Sequence, residues 1–156
     1  MIKPIEQLIE EHPFFAALSP DQIGLIAGCG TNVVFSEGTM ISREGEPADE
    51  FYVIRRGRIA VSTFIPSNGD LVLQTLDQGD VMGFSWLFPP FTWAFDSRAV
   101  QEVHAISLDG KCLRGKCDND TALGYDLMKR FAAIMIDRLR ATRLQLIDVY
   151  GGTPGS

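Results

Sequence analysis

The residues with the most evident capacity for chemistry are aromatic side chains crowded into one short segment. Directly after Gly83, six aromatics fall within twelve residues: Phe84, Trp86, Phe88, Phe91, Trp93 and Phe95. An enclosed aromatic side chain buries roughly 150–250 Å², so these rings could fill a cavity by themselves. Alternatively, Trp86 and Trp93 could stack on a planar or apolar ligand. Ser85 and the backbone amides of residues 83–86 are candidate donors to an anion.

The sequence contains none of the familiar catalytic or metal-binding motifs. It has no Ser/His/Asp or Cys/His arrangement, no paired-carboxylate motif and no P-loop. Cys112 and Cys117 are five residues apart, whereas tetrahedral metal sites usually combine more closely spaced pairs. His12 and His104 could complete such a site only if the fold happened to bring them together. We therefore predict a protein that is not an enzyme and holds no metal or resident cofactor.

The three cysteines bear on the compartment in which the protein works. Cys29, Cys112 and Cys117 occur in a chain whose first residues turn acidic without forming the apolar segment of a signal peptide. Because disulfides are rare in the cytosol, we predict a cytoplasmic protein with reduced, partly buried thiols. No apolar run approaches the roughly 20 residues that span a bilayer, so no membrane association is expected.

Composition and charge narrow the class of partner. The 156 residues are 46% hydrophobic and 22% charged, as in an ordinary globular domain. Fourteen basic residues against twenty acidic ones leave a net charge of −6. Since Lys and Arg supply most of the non-specific affinity for phosphates, a general nucleic-acid binder is excluded.

The secondary structure that must position the aromatic segment is predicted to change from helices to strands along the chain. Ile5, Leu8 and Ile9 share one helical face that Pro13 ends, and residues 19–22 form a capping box that starts a second helix. From residue 31 to 108, strand-like runs at 51–54, 59–65 and 71–73 alternate with glycine-bearing turns, including the turn at 66–70. Short strands at this spacing predict a barrel or sandwich of the jelly-roll kind.

The stretch from Thr121 to Tyr150 lacks proline and is predicted to be one long helix. One apolar stripe, at Leu123, Leu127, Phe131 and Ile134, is enough to pack on a β core. A second has heptad-like spacing and consists of Met128, Ala132, Met135, Leu139, Thr142, Leu146 and Val149. We interpret the second stripe as a homodimer interface; the alternative is a helix with a wide face toward the core. Arg130, Arg138, Arg140 and Arg143 are interpreted as a solvated flank.

The spacing of the glycines and aromatic residues resembles that of a known protein family. Residues 35–41, 43–54 and 57–61 place an aromatic, glycines and a tyrosine at specific intervals, and residues 76–83 extend the pattern. The chain resembles the cyclic nucleotide-binding domain, the β roll of catabolite-activator/Fnr regulators, kinase A regulatory subunits and cyclic-nucleotide-gated channels. The resemblance implies an α+β fold: a double-stranded β-helix or jelly roll with N-terminal helices and a long C-terminal helix.

The implied organisation has four parts. They are a helical lead-in at 1–30, a β-roll sensor domain at 31–110 with its ligand cassette at 83–98, C-terminal helices at 111–150 and a tail at 151–156. We call residues 83–98 the cassette. In that family a glutamate directly after the cassette glycine accepts from the ribose, and an arginine about ten residues later pairs with the cyclic phosphate.

The cassette departs from the family's pattern at both polar positions. Phe84 follows Gly83 where glutamate is expected, and Trp93 stands where the phosphate arginine is expected. Arg98 then falls on the next strand, outside the ligand contacts, unless a five-residue insertion brings it into the phosphate role. The candidate pocket is accordingly Gly83, Phe84, Ser85, Trp86, Trp93 and Arg98.

The resemblance implies a regulatory or sensor domain rather than a catalyst. Because both polar ligand residues are replaced, binding of cAMP or cGMP is doubtful. The alternatives are a ligand-free dimeric module that contacts another protein, and a sensor of an apolar or planar ligand. Regulators of this family continue into a helix-turn-helix, which this sequence does not show; we therefore expect a stand-alone domain that does not bind DNA.

Overall fold

Two antiparallel sheets of four strands each form the body of the protein. The computed structural model describes residues 3–151, so residues 1–2 of the predicted lead-in and 152–156 of the predicted tail lie outside it. The strands are β1 Gly30–Phe35, β2 Met40–Ser42, β3 Glu50–Arg56, β4 Ile59–Ile65, β5 Gly69–Leu76, β6 Val81–Met82, β7 Asp96–Ala99 and β8 Val103–Asp109. Their order is β1-β8-β3-β6 in one sheet and β2-β7-β4-β5 in the other. The predicted jelly roll is confirmed.

Helices flank the roll on its N-terminal and C-terminal sides. They are α1 Ile5–Glu11, α2 Pro20–Ala27, α3 Gly110–Asn119 and α4 Thr121–Tyr150, with short 3₁₀ helices at Pro13–Phe15 and Ser85–Leu87. The predicted capping box is confirmed, because the Ser19 hydroxyl accepts from the Gln22 amide and the Gln22 side chain accepts from the Ser19 amide. The predicted turn at 66–70 is also confirmed: it joins β4 to β5, and Gly69 in it has φ +78°.

Strand β3 divides the core into two clusters because its successive side chains alternate between faces. Phe51 and Val53 pack with the helices in what we call the helix-side core, which also holds Phe15, Ile26, Leu108 and Phe131. Tyr52 and Ile54 face the other way into the roll-interior core, among Ile59, Val61, Met82, Trp93, Ala99 and Ala105. The roll-interior core takes residues from both sheets and therefore lies between them.

Helix α4 has the bounds that its sequence predicts, and Asp120 caps it by accepting from the Leu123 amide (3.1 Å). The first stripe packs on the body of the protein: Leu123, Leu127 and Phe131 are buried, and Ile134 is half-buried. Of the second stripe, Met135 is partly covered by the helix-side core, whereas Leu139, Leu146 and Val149 are 71%, 52% and 73% exposed. Every residue from 139 to 150 is exposed, so the roll does not cover this half of the helix.

The prediction of a fully solvated arginine flank is wrong for two of its four members. Arg130 donates to the carbonyl oxygens of Phe14 and Ala16, both at 2.7 Å, and pairs with Asp126. Arg138 is half-buried against the cassette. Arg140 and Arg143 are exposed as predicted. Helical position alone could not separate the two pairs, because their burial depends on the 3₁₀ helix and the cassette, which come from distant parts of the chain.

The prediction of three reduced cysteines is also wrong. Cys29 and Cys112 form a disulfide with a Cα–Cα distance of 5.7 Å, and Cys117 is free. The two cysteines are 83 residues apart in sequence. They meet because β1 and β8 pair antiparallel, with Gly30 opposite Leu108, immediately beside each cysteine-bearing segment. Within residues 3–151, no helix is long and apolar enough to cross a membrane.

Candidate functional site

Of the candidate pocket residues, Trp93 and Gly83 lie in direct contact. Gly83 follows β6, is buried and has φ +113°, a conformation that favours glycine. A Cβ atom added at Gly83 would lie 3.0 Å from Cη2 and 3.1 Å from Cζ3 of Trp93, and 3.2 Å from Cβ of Phe51. The Trp93 ring edge therefore sits directly on the Gly83 backbone, and the lack of a side chain at Gly83 makes room for it.

Backbone hydrogen bonds hold Trp93 in this position. The Gly45 amide donates to the Trp93 carbonyl oxygen at 2.8 Å, and the Trp93 amide donates to the Glu46 carbonyl oxygen at 2.9 Å. The ring lies nearly parallel to Tyr52, with centroids 6.5 Å apart, and is tilted against Phe95 at 5.7 Å. Trp93 is only 6% exposed, so it is an integral part of the roll-interior core. Burial also raises the pKa of the Tyr52 phenol above its ordinary value.

Trp86 lies on the opposite side of β3, in the helix-side core. Its ring stacks on Phe51 with centroids 4.8 Å apart and meets Phe131 at 5.6 Å. A Cβ atom at Gly110 would lie 2.8 Å from the Trp86 Cβ, so α3 begins directly against this side chain. Because the two tryptophans belong to different core clusters, the structure does not bring Trp86 and Trp93 together around a common space.

Phe84 joins the cassette to the long helix. Its ring meets Phe131 at 5.7 Å, and the Arg138 guanidinium lies over it at 4.7 Å from the centroid. Arg138 also donates to the Val81 carbonyl oxygen. Burial lowers the pKa of the Arg138 guanidinium from its ordinary value, and the Asp80 carboxylate opposes that shift. The residue at the expected glutamate position thus forms a cation–π contact with α4.

Arg98 and Ser85 are placed apart from the Trp93 ring. Arg98 is exposed between two buried neighbours on β7, Ser97 and Ala99. Strand alternation therefore turns it away from the roll interior, and it donates to the Gly38 carbonyl oxygen at 2.7 Å. Ser85 is half-buried at the start of the 3₁₀ helix, where the Leu87 amide is already bonded to the Phe84 carbonyl oxygen at 3.1 Å.

A cavity lies beside Trp86, where the cassette meets α3 and α4. This open groove measures about 400 Å³, and its lining includes Trp86, Leu87, Arg114, Tyr125 and Met128. Arg114 donates to the Trp86 carbonyl oxygen and covers the Phe91 ring at 4.3 Å. In the described part of the chain, the buried Trp86 Nε1 has no hydrogen-bond partner.

Sequence reasoning missed three residues of the site. Tyr52 lies in a predicted strand, and the alternation of that strand was a usable signal for its inward orientation. Arg114 and Arg138 gave no comparable signal, because each acts on the cassette from a helix far along the chain. Across residues 3–151, no group of three or more His, Cys, Asp or Glu side chains is arranged to hold a metal ion.

Comparison with known proteins places this geometry in a family. The sequence model of the cyclic nucleotide-binding domain matches residues 32–120. A CRP-like cAMP-activated global transcriptional regulator of Mycobacterium tuberculosis is 24% identical over 152 residues, covering 97% of this chain and 66% of that protein. Cyclic nucleotide-gated ion channel 18 of Arabidopsis thaliana is 32% identical over 117 residues, 69% of this chain and 17% of the channel.

Solved structures share the fold. A candidate cyclic nucleotide-binding protein from Geobacter metallireducens superposes with a TM-score of 0.75 at 29% identity, covering 89% of this chain and 99% of that one. A cyclic nucleotide-binding domain from Methylobacillus flagellatus gives 0.78 at 17% identity, covering 98% and 84%. The chain thus spans 66% of the length of the curated mycobacterial regulator, but nearly the whole of the Geobacter structure.

Proposed function

The chain belongs to the cyclic nucleotide-binding domain family, and from that membership we propose that it is a regulatory domain whose roll is filled by its own aromatic side chains. In this proposal the roll does not use cAMP or cGMP as its signal. The domain acts as a dimeric interaction module that contacts another protein.

The packing of Trp93 on Gly83 is the observation that carries the proposal. The ring approaches the glycine so closely that even a methyl group at Gly83 would crowd it. It is enclosed by Tyr52 and Phe95 and held by two backbone hydrogen bonds. A ligand next to Gly83 would have to displace a buried tryptophan, and truncation of a buried Trp typically costs about 3–5 kcal/mol.

Electrostatics supports the same conclusion. A cyclic phosphate buried in the roll would need a cationic or multiple-donor partner, since an unpaired buried charge is strongly unfavourable. The arginine of the family's pattern is replaced by Trp93, and Arg98 turns outward to the Gly38 carbonyl. The planar-ligand alternative loses support for a related reason: Trp86 and Trp93 face opposite sides of β3.

Calorimetry with cAMP and with cGMP tests the proposal. We expect no saturable heat, because the Trp93 ring lies against Gly83 and Arg98 is bonded to the Gly38 carbonyl oxygen. A micromolar dissociation constant for either nucleotide would overturn it. Arg98→Ala is the diagnostic variant in that event: if it abolished the binding, Arg98 would hold the phosphate, as in the insertion alignment.

We also propose that the domain is a homodimer joined through α4. The segment from residue 139 to 150 is exposed throughout and carries the C-terminal part of the second stripe, Leu139, Thr142, Leu146 and Val149. Isolated helices shorter than about 12–15 residues are marginal in water, so this extension gains from a partner. Pairing two copies about a two-fold axis is the commonest way to bury such a surface, at about 25 cal/mol per Å² of apolar area.

Leu139→Glu should break the dimer, because it places two carboxylates across the axis in the middle of the stripe. Leu144→Glu is the matched control: Leu144 is also exposed (56%) on α4 but lies on another face. Light scattering should report twice the mass of one chain for the parent protein and for Leu144→Glu, and a monomer for Leu139→Glu. A monomeric parent, or a Leu139→Glu variant that stays dimeric, contradicts the assignment.

A further inference from the structure

Four residues of α4 line the open groove beside Trp86, namely Thr121, Gly124, Tyr125 and Met128. We propose that a second copy of this chain covers the groove, so that the homodimer interface runs along α4 from residue 121 to 149 and includes the cassette. This inference rests on the homodimer proposed for the exposed end of α4 and extends that interface to the region around Trp86.

The second stripe continues toward the N-terminus of α4 beyond Met128. Tyr125 precedes Met128 by three residues and Thr121 precedes Tyr125 by four, which repeats the alternation of the stripe. At about 100° per residue, Thr121 and Tyr125 lie within about 40° of Leu139 around the helix axis. Three of the four α4 residues in the groove are therefore on the face that we assign to the dimer.

This part of the face is uncovered in the single chain. Thr121, Tyr125, Met128 and Ala132 are all exposed, and Tyr125 is 67% exposed. The Lys129 ammonium lies over the Tyr125 ring, 4.6 Å from its centroid. Tyrosine and methionine are enriched in protein–protein interfaces relative to the rest of the surface. An exposed tyrosine and methionine on the dimer face are thus suited to contact a second copy.

The exposed end of α4 is too small to hold a dimer alone. A stable interface typically uses about 20–30 residues on each side and buries about 1,200–2,000 Å² in total, whereas residues 139–150 are only twelve. The stripe continues from this end through half-buried Met135 and exposed Ala132 to the groove. Additional contact area is therefore available along the same face of the helix.

The other walls of the groove come from the cassette and α3. They consist of Trp86 and Leu87 from the cassette and of Arg114, Cys117 and Asp118 from α3. Arg114 is already held by the Trp86 carbonyl oxygen and covers the Phe91 ring, so its side chain is ordered before a partner arrives. Preorganised side chains lose less conformational entropy on association. A second copy seated on this face would contact the cassette and α3 as well as α4.

The dissociation constant of the dimer tests the extended interface in the full chain. Tyr125→Ala should raise this constant by about tenfold or more, because buried tyrosines are among the residues that dominate binding energy at interfaces. Leu144→Ala is the matched control, since Leu144 is exposed on another face of α4, and it should leave the constant unchanged. Analytical ultracentrifugation measures both variants.

A second measurement separates an effect on the interface from an effect on the fold. The ring of Tyr125 is exposed in the single chain, so its removal should not unfold the subunit. Tyr125→Ala combined with Leu139→Glu, which is expected to be monomeric, should unfold at the same urea concentration as Leu139→Glu alone.

Alkylation of Cys117 shows whether the groove is covered. Cys117 lines the groove and is free, whereas Cys29 and Cys112 are bonded to each other. Iodoacetamide followed by peptide mass mapping should modify Cys117 several times more slowly in the parent dimer and in Leu144→Glu than in monomeric Leu139→Glu. Burial within one chain already raises the pKa of this thiol, so the three proteins are compared at the same pH.

The oligomeric state separates the failure of this inference from the failure of the homodimer. A monomeric parent protein would overturn both. A dimeric parent whose dissociation constant does not respond to Tyr125→Ala, or whose Cys117 reacts as fast as in monomeric Leu139→Glu, would overturn the covered groove alone. The groove would then be free for another occupant, and the dimer would be confined to the exposed end of α4.

Discussion

At the residue scale, the edge of the Trp93 ring occupies the space that a side chain at Gly83 would need. The glycine supplies a positive φ and a missing side chain, and the tryptophan edge lies where that side chain would be. Phe84, which stands at the expected glutamate position, meets Arg138 of α4. The residues at the two expected ligand positions thus contribute to packing, Trp93 inside the roll and Phe84 between the roll and the long helix.

His12 makes the stability of the domain depend on pH. Its Nε2–H donates to the Ile54 carbonyl oxygen at 3.0 Å and its Nδ1 accepts from the Phe14 amide at 3.1 Å, so the ring is neutral. Burial lowers the pKa of His12 from 6.5, opposed by the Ile54 carbonyl and Asp80. The unfolded chain therefore takes up the proton first, and the free energy of unfolding should fall as the pH drops below about 6.5.

Urea unfolding between about pH 5.5 and 7.5 measures this effect. In that window the unfolding free energy of His12→Gln should depend less on pH than that of the parent. His104→Gln is the control and should keep the part of the dependence that comes from His12. Equal slopes of unfolding free energy against pH for the parent and His12→Gln would show that His12 does not cause the dependence.

Several single-residue features were predictable from the sequence, and others were not. The glycine turns follow from local spacing and residue type, whereas the replacement of both polar ligand residues stays a prediction from the family's pattern. The sides to which Trp86 and Trp93 turn follow only from the alternation of β3, which lies more than 30 residues earlier in the sequence. The Cys29–Cys112 bond depends on the β1–β8 register, and cysteine counting could not supply it.

At the element scale, α4 connects the roll to the exposed second stripe. Its N-terminal part packs through Leu123, Leu127 and Phe131, Arg138 still contacts the cassette, and residues 139–150 are exposed. Periodicity was sufficient to predict the helix and to separate the two stripes. It could not show that Arg138 reaches the cassette, because a half-buried arginine and a solvated one have the same helical spacing.

Arg138→Met should weaken the attachment of the cassette to α4. The variant loses a charged hydrogen bond to the Val81 carbonyl and a cation–π contact with Phe84, which together are worth about 1–3 kcal/mol of unfolding free energy. Arg140→Met is the matched control, because Arg140 makes only an exposed 3.8 Å pair with Asp137 and should change stability by less than about 0.5 kcal/mol. Equal losses of unfolding free energy in the two variants, measured by urea unfolding, would contradict this role of Arg138.

At the scale of the whole molecule, the sequence resemblance predicted the β roll and its flanking helices, since glycine and aromatic spacing is distinctive for this architecture. The composition did not indicate the Cys29–Cys112 disulfide. Whether the domain binds a ligand depends, by contrast, on the interior of the roll, and its dimerisation depends on the exposed residues 139–150 of α4.

The net charge of −6 predicts that this 156-residue chain does not bind DNA. Affinity for duplex DNA is supplied largely by basic residues that displace counterions, and here acidic residues predominate. A gel shift with genomic fragments at physiological ionic strength should show no complex. A salt-sensitive shift that a competitor fragment cannot remove would contradict the prediction.

The most direct test of the account is an amide NMR titration that follows Gly83 and the Trp93 indole N–H with cAMP and cGMP at millimolar concentration. Because the Trp93 ring occupies the space beside Gly83, both signals should stay in place, and the Leu144 amide on the exposed half of α4 serves as a reference. Saturable shifts of Gly83 and Trp93, with Leu144 unmoved, would show that the tryptophan yields to a nucleotide and that the roll is a working ligand site.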